Sequence, residues 1–172
     1  SSIVITSYGS GERPIIQCDE LSKPVFKING SYINIDNLHI KKANQAQGIH
    51  ILANTKENLI ENCEIENVGT GISLRGSMHI IRNNYIHDLN MIRNTIGGDD
   101  DYGAVGIWLY EPANDIDIYS NVLINCKSYS YDYSSDGGVI EVFGSVSNIN
   151  FYQNFSMSNN GFFEVGRSSN AV

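Results

Sequence analysis

The chain has 172 residues and a net charge of −8, with 41% apolar and 17% charged residues. That length supports one domain with a sizeable core, and an acidic chain without a basic cluster argues against a nucleic-acid partner. No apolar run approaches the roughly 20 residues of a membrane helix, and no charged leader followed by an apolar run opens the chain.

The chain opens on a strand-like run within SSIVITSYGSGERP, and residues 12–26 read as a longer loop within a first coil. From Asn37 onward an asparagine recurs two or three residues before an isoleucine or methionine. The copies are Asn37-Leu-His-Ile40, Asn62-Cys-Glu-Ile65, Asn83-Asn-Tyr-Ile86, Asn121-Val-Leu-Ile124 and Asn154-Phe-Ser-Met157, at spacings of 25, 21, 38 and 33. Aligned asparagines at one corner predict an inward amide ladder that satisfies buried backbone groups. A glycine-led strand follows each: Gly48-Ile-His-Ile51, Gly71-Ile-Ser-Leu74, Gly106-Ile-Trp-Leu109, Gly138-Val-Ile-Glu-Val142 and Gly161-Phe-Phe-Glu-Val165. Apolar and polar residues alternate along them, the period of a strand with one face buried. Two long intervals hold insertions, about residues 90–104 and 127–137, expected to form loops at one edge of a groove. Cys18, Cys63 and Cys126 are odd in number and lack metal-ligand spacing, so they read as small buried apolar residues.

A repeat near 23 residues, with short strands and an asparagine corner, points to a strand solenoid rather than a leucine-rich horseshoe. The G-I-x-I strand and the N-x-x-I corner resemble those of the right-handed parallel β-helix of pectate lyases and related carbohydrate-active proteins. The resemblance implies an all-β, right-handed, single-stranded parallel β-helix of about five or six coils over residues 1–172, a segment of a longer chain. It implies a secreted or cell-surface protein with a polysaccharide or oligosaccharide as partner, and no nucleic acid. Uncapped coils also imply further coils or self-association.

Alternation decides what faces out. With Ile49/Ile51, Ile72/Leu74, Ile107/Leu109, Ile140/Val142 and Phe163/Val165 inward, an outward column of His50, Ser73, Trp108, Glu141 and Glu164 results. The last two coils need a one-residue shift of their glycines, since the other register would bury two carboxylates. Glu141 and Glu164 on adjacent strands, about 4.8 Å apart, suit the acid and nucleophile of a retaining glycosidase, whose carboxyls lie about 5–5.5 Å apart. Asp136, in the turn before Glu141, is a third candidate catalytic carboxylate. Trp108 is either a sugar platform or a plug under an insertion. Tyr110, Arg75, Tyr133 and Asp132 are the other candidate substrate-binding residues.

Three functions compete. Glycosidic hydrolysis by the carboxylate pair needs no cofactor. Polysaccharide lyases of the resembling fold use a cationic base and calcium, for which Arg75 or Lys127, with Asp100 and Asp101 as calcium ligands, are the candidates. The G-G-D-D-D-Y-G run lacks the spacing of an EF-hand and reads first as a surface turn. A tailspike-like or adhesin-like rod would bind glycan through the same aromatic surface without cleaving it. His50 and His87 read as ordinary surface or turn residues.

Overall fold

A computed structural model describes residues 1–166. Among the described residues, parallel strands stack into six coils, each presenting three faces. Around one turn the chain runs along a leading face, a groove face and a trailing face. The groove face holds Phe26–Ile28 and then residues 49–51, 72–74, 107–109, 140–142 and 163–165, in register. Three long strands, His39–Ile51, Glu64–Ser77 and Val105–Tyr119, bend from one face to the next.

Like stacks on like in the core. Ile40, Ile65, Ile86 and Leu123 form one inward ladder, Ile49, Ile72, Ile107 and Ile140 a second, and Ile35, Ile60, Ile81 and Ile118 a third. All are at most 1% exposed. β-Branched side chains suit this geometry because each fills the hollow above its copy on the neighbouring strand. Cys63 and Cys126 lie buried in the same core as free thiols, pushed up to about 11 and about 12 by burial.

The glycines at the head of the groove strands have a steric cause. A Cβ on Gly71 would sit 2.5 Å from the Gly106 carbonyl oxygen and 2.6 Å from Ile86 Cγ2. Two coils on, above Gly106, Val139 occupies this place, fully buried, and Gly138 pairs with Val105. The one-residue shift expected from the carboxylates is therefore present. Gly71→Ala is expected to cost about 1–3 kcal/mol through overpacking, seen as a lower Tm in thermal denaturation; an unchanged Tm would contradict the close approach.

Two expectations need correction. Residues 12–26 are not merely a loop, because Ile15–Gln17 pairs with residues 39–41 and Phe26–Ile28 with residues 49–51. They supply two rungs of the first coil, each only three residues long and so too short to show a period. The asparagine corner is two positions, not one. Asn37, Asn62 and Asn83 have φ of 53°, 54° and 56° and sit outside, at a left-handed corner that Ser120 and Gln153 fill in later coils. Asparagine tolerates that conformation better than most residues.

The next residue points in: Leu38, Cys63, Asn84, Asn121 and Asn154. Only the last three form the ladder, with Asn84 Nδ2 donating to Asn121 Oδ1 at 3.0 Å and Asn121 Nδ2 to Asn154 Oδ1 at 2.9 Å. The same oxygens accept the backbone N–H groups of Asn84 and Asn121, and Asn84 Oδ1 accepts that of Cys63. At the last described coil Phe163 and Val165 keep the inward register but are 57% and 65% exposed, since no described coil stacks over them.

Candidate functional site

The register builds one continuous outward column on the groove face: Lys27, His50, Ser73, Trp108, Glu141 and Glu164. Its first end is cationic and its last end acidic. Next to it run Arg75, Tyr110 and Phe143, the last two paired in register. The Arg75 guanidinium lies 4.4 Å from the Tyr110 ring centre, a cation–π contact that fixes both side chains.

The two insertions leave the corner between leading and groove faces and rise beside the acidic end. In the first, Met91–Arg93 pairs antiparallel with Tyr102–Gly103; in the second, Ser128 and Asp136 bridge antiparallel. Reciprocal carboxylate bonds lock the two together. Asp101 accepts from Thr95 N at 2.6 Å, Ser130 Oγ at 2.8 Å and Asp132 N at 3.1 Å, while Asp132 accepts from the amides of Asp100 and Asp101. Burial opposes the charged form of Asp101, but these donors outweigh it and hold its carboxyl below the usual range.

Between loops and column lies a cavity of about 640 Å³ lined by Trp108, Glu141, Glu164, Asp136, Asp101, Tyr133, Tyr102, Phe143 and Thr70, among others. Its size suits a small ligand or a few sugar rings. Burial, then the neighbouring charges of Glu164 and Asp136, pushes the Glu141 carboxyl up to about 8. Burial likewise raises Asp136, reinforced by Asp101 and opposed by the Gly137 N–H. Glu141, with its carboxyl held above the usual range, lies directly opposite Glu164 on the adjacent strand.

Trp108 is half-covered, with edge-on contacts to Tyr110 and Phe143 at centroid distances of 5.8 and 6.3 Å. Its Nε1 and the Thr70 Oγ1 are buried without a hydrogen-bond partner among the described residues. Both residues line the cavity, although these two atoms are themselves closed to solvent.

Of the residues singled out from sequence, Glu141, Glu164, Asp136, Trp108, Tyr133 and Asp101 converge on this cavity. Tyr110 and Arg75 extend the face beyond it. Asp132 serves as a loop clasp. Asp100 pairs with Arg93 at 2.6 Å, and donor atoms of Asp100, Asp101 and Asp132 lie within 4.8 Å of one another. Thr70 escaped sequence reading because it shares parity with inward Ile72, yet the strand bends there and turns it to the cavity. Phe143 follows from the register as the partner of Tyr110.

The fold has a solved counterpart in an alginate lyase from Paenibacillus sp. str. FPU-7, with 17% identity and a TM-score of 0.53. The match covers 90% of this chain and 60% of the lyase, so the chain spans well under the full length of that enzyme. No curated protein matches it. Residues 25–172 match the model of the right-handed β-helix region. With its parallel coils and stacked ladders, the chain belongs to the right-handed β-helix family.

Proposed function

We propose that this protein is a secreted or cell-surface enzyme that hydrolyses glycosidic bonds of a polysaccharide, with Glu141 as general acid and Glu164 as the opposing carboxylate. The observation that carries this reading is the Glu141 carboxyl, pushed up to about 8 beside Glu164 in a cavity. In the retaining mechanism Glu141 gives its proton to the departing glycosidic oxygen while Glu164 attacks the anomeric carbon. Glu141 then takes a proton from the water that releases the sugar. Asp136 helps keep the proton on Glu141, and Trp108 offers its ring to a sugar face. Among the described residues, the cavity is lined by the acidic side chains Asp101, Asp136, Glu141 and Glu164, without lysine, arginine or histidine. That field favours neutral sugars over uronates.

The opposite end of the column favours a second reading, β-elimination on a uronic-acid polymer. His50 lies 3.3 Å from Ser73 Oγ, and burial, then Arg75 and Lys27, lowers its pKa. A neutral imidazole beside two cations suits abstraction of a proton next to a neutralised carboxylate. In this reading Arg75 holds the uronate and any calcium is bound at Asp100 and Asp101; Lys127 is exposed. The fold shared with an alginate lyase is compatible with it.

Digestion of neutral and uronic-acid polysaccharides, with and without chelator, separates the readings. New reducing ends without the ultraviolet absorbance of an unsaturated sugar, insensitive to chelator, are expected. Absorbance that disappears with chelator would replace hydrolysis by elimination. Binding without cleavage of any substrate would leave a glycan-binding rod.

A further inference from the structure

The corner between the groove and trailing faces is built like the asparagine corner, an outer left-handed residue followed by an inward one. Tyr32, Glu57, Met78, Asp115 and Asn148 hold the outer place, with φ of 61°, 54°, 56°, 55° and 54°. The residues after them are Ile33, Asn58, His79, Ile116 and Ile149, level with one another by strand register. Asn58 serves here as Asn84 and Asn121 do at the other corner. Its Oδ1 accepts the Ile33 N–H at 2.9 Å, and its Nδ2 donates to Gly30 O at 3.0 Å. The next place belongs to His79, fully buried, whose Nδ1 accepts the Asn58 N–H at 3.1 Å. An imidazole nitrogen thus stands where the other rungs use an amide oxygen. The amide does not titrate; the imidazole does.

Only one protonation state fits this place. The Asn58 amide is a donor, so Nδ1 must offer a lone pair. Nε2 lies 2.9 Å from the Arg75 carbonyl oxygen and 3.5 Å from Thr55 Oγ1, whose own proton goes to Leu52 O at 2.8 Å. Both are acceptors toward the ring, so Nε2 carries the hydrogen. Room for the ring comes from Gly76, where a Cβ would lie 2.9 Å from Nε2. The neutral ring therefore ties residues 55–58 of one coil to residues 75–76 of the next.

The charged groups around it are engaged elsewhere. In the preceding coil Lys56 and Glu57 pair with each other at 3.8 Å. On its own coil the Arg75 guanidinium rests on the Tyr110 ring. In the following coil Glu111, Asp115 and Asp117 accept from Ser145 N, Asn148 Nδ2 and Asn150 Nδ2. Burial lowers the pKa of His79, with the Arg75 carbonyl opposing it.

We propose that His79 is an acid-sensitive latch of the groove wall. A proton taken up at Nδ1 turns two donors toward each other, breaks the bond to Asn58 and leaves an unpaired charge in the core. Residues 75–76 then part from residues 55–58. Arg75 and the Tyr110 ring against it lose their fixed place beside Trp108. The folded chain binds this proton more weakly than the unfolded one. The stability His79 contributes is therefore complete above the ordinary value of 6.5 and is lost as pH falls from there through the folded value. The latch is independent of the hydrolytic reading.

The test compares the parent with His79→Asn, which continues the amide ladder. Nitrogen-15 NMR of the parent's histidines is expected to show the Nε2–H tautomer of His79 at neutral pH and a midpoint below 6.5. Between about pH 7 and about pH 5, the parent's Tm is expected to fall relative to that of His79→Asn. Over the same range the emission of Trp108, the chain's one tryptophan, should shift in the parent alone. Titrations common to both proteins, those of His50 and the carboxylates, cancel in the comparison. Should His79→Asn fail to fold, the parent's own NMR titration decides. The Nδ1–H tautomer, a midpoint at or above 6.5, or a Tm and emission that follow one pH course in both proteins would overturn the latch.

Discussion

Replacing Glu141 by glutamine is expected to abolish cleavage and, at the same time, to make the folded protein more stable in alkali. The first effect follows from loss of the proton donor. General acid catalysis contributes about 10²–10⁴ in rate, and glutamine keeps the shape while carrying no transferable proton. The second effect follows from linkage. The unfolded chain releases this proton near the ordinary value of 4.5, whereas the folded chain holds it to about 8. Across that window the unfolded state binds fewer protons, so stability falls as pH rises. Each pH unit is worth about 1.4 kcal/mol, and the accumulated loss above the window reaches a few kcal/mol. Glu141→Gln, always neutral, escapes it. Denaturant unfolding of parent and variant should agree on the acid side of the window and diverge in favour of the variant above it. Equal stabilities at every pH would show that Glu141 is not held in a desolvated, acidic site.

Asn121→Leu is expected to be among the most destabilising single changes in the chain, by about 3–5 kcal/mol. The Asn121 side chain makes five hydrogen bonds, one of them to Tyr119 O at 3.1 Å. Its Oδ1 accepts from the backbone and side chain of Asn84, and its Nδ2 donates to Ile81 O and Asn154 Oδ1. Leucine fills the space but leaves these buried groups unpaired, at about 1–3 kcal/mol each before relaxation. Asn62→Ala makes the contrast. Asn62 occupies the outer left-handed corner and bonds Asp36 at 2.7 Å, so its loss should cost about 1–2 kcal/mol, the penalty of a left-handed alanine. Comparable losses from both variants would contradict the division of the corner into an outer and an inner position.

That division also marks the limit of what the sequence reveals. The outward column from His50 to Glu164 was legible because strand side chains alternate strictly and because burying two carboxylates is prohibitive. Those two facts placed Glu141 beside Glu164 even though their glycines sit one position off. Asn121 and Asn154 were placed in the ladder correctly, but the first three copies were read one residue early, because Asn83 and Asn84 are consecutive and in the earlier coils the outer corner alone is asparagine. Leu38 and Cys63 hold the inner place there. The first coil was hidden by strands of three residues, too short for periodicity to register. The cavity wall was hidden for a different reason. The Asp101–Ser130 and Asp132–Asp100 clasps join segments some 30 residues apart, the first side chain to side chain and the second side chain to backbone, and no local pattern encodes which loop carboxylates turn inward. Asp132, expected to touch substrate, is instead spent on that clasp, while Thr70 reaches the cavity through a bend in its strand.

The measurement closest to the centre of this account is a titration of the Glu141 carboxyl by carbon-13 NMR, assigned by comparison with Glu141→Gln. The account predicts a midpoint near 8, moving down when Glu164 is replaced by glutamine, because the neighbouring charge is one of its causes. A midpoint at the ordinary 4.5, unmoved by that replacement, would remove the proton donor from the cavity and with it the case for hydrolysis.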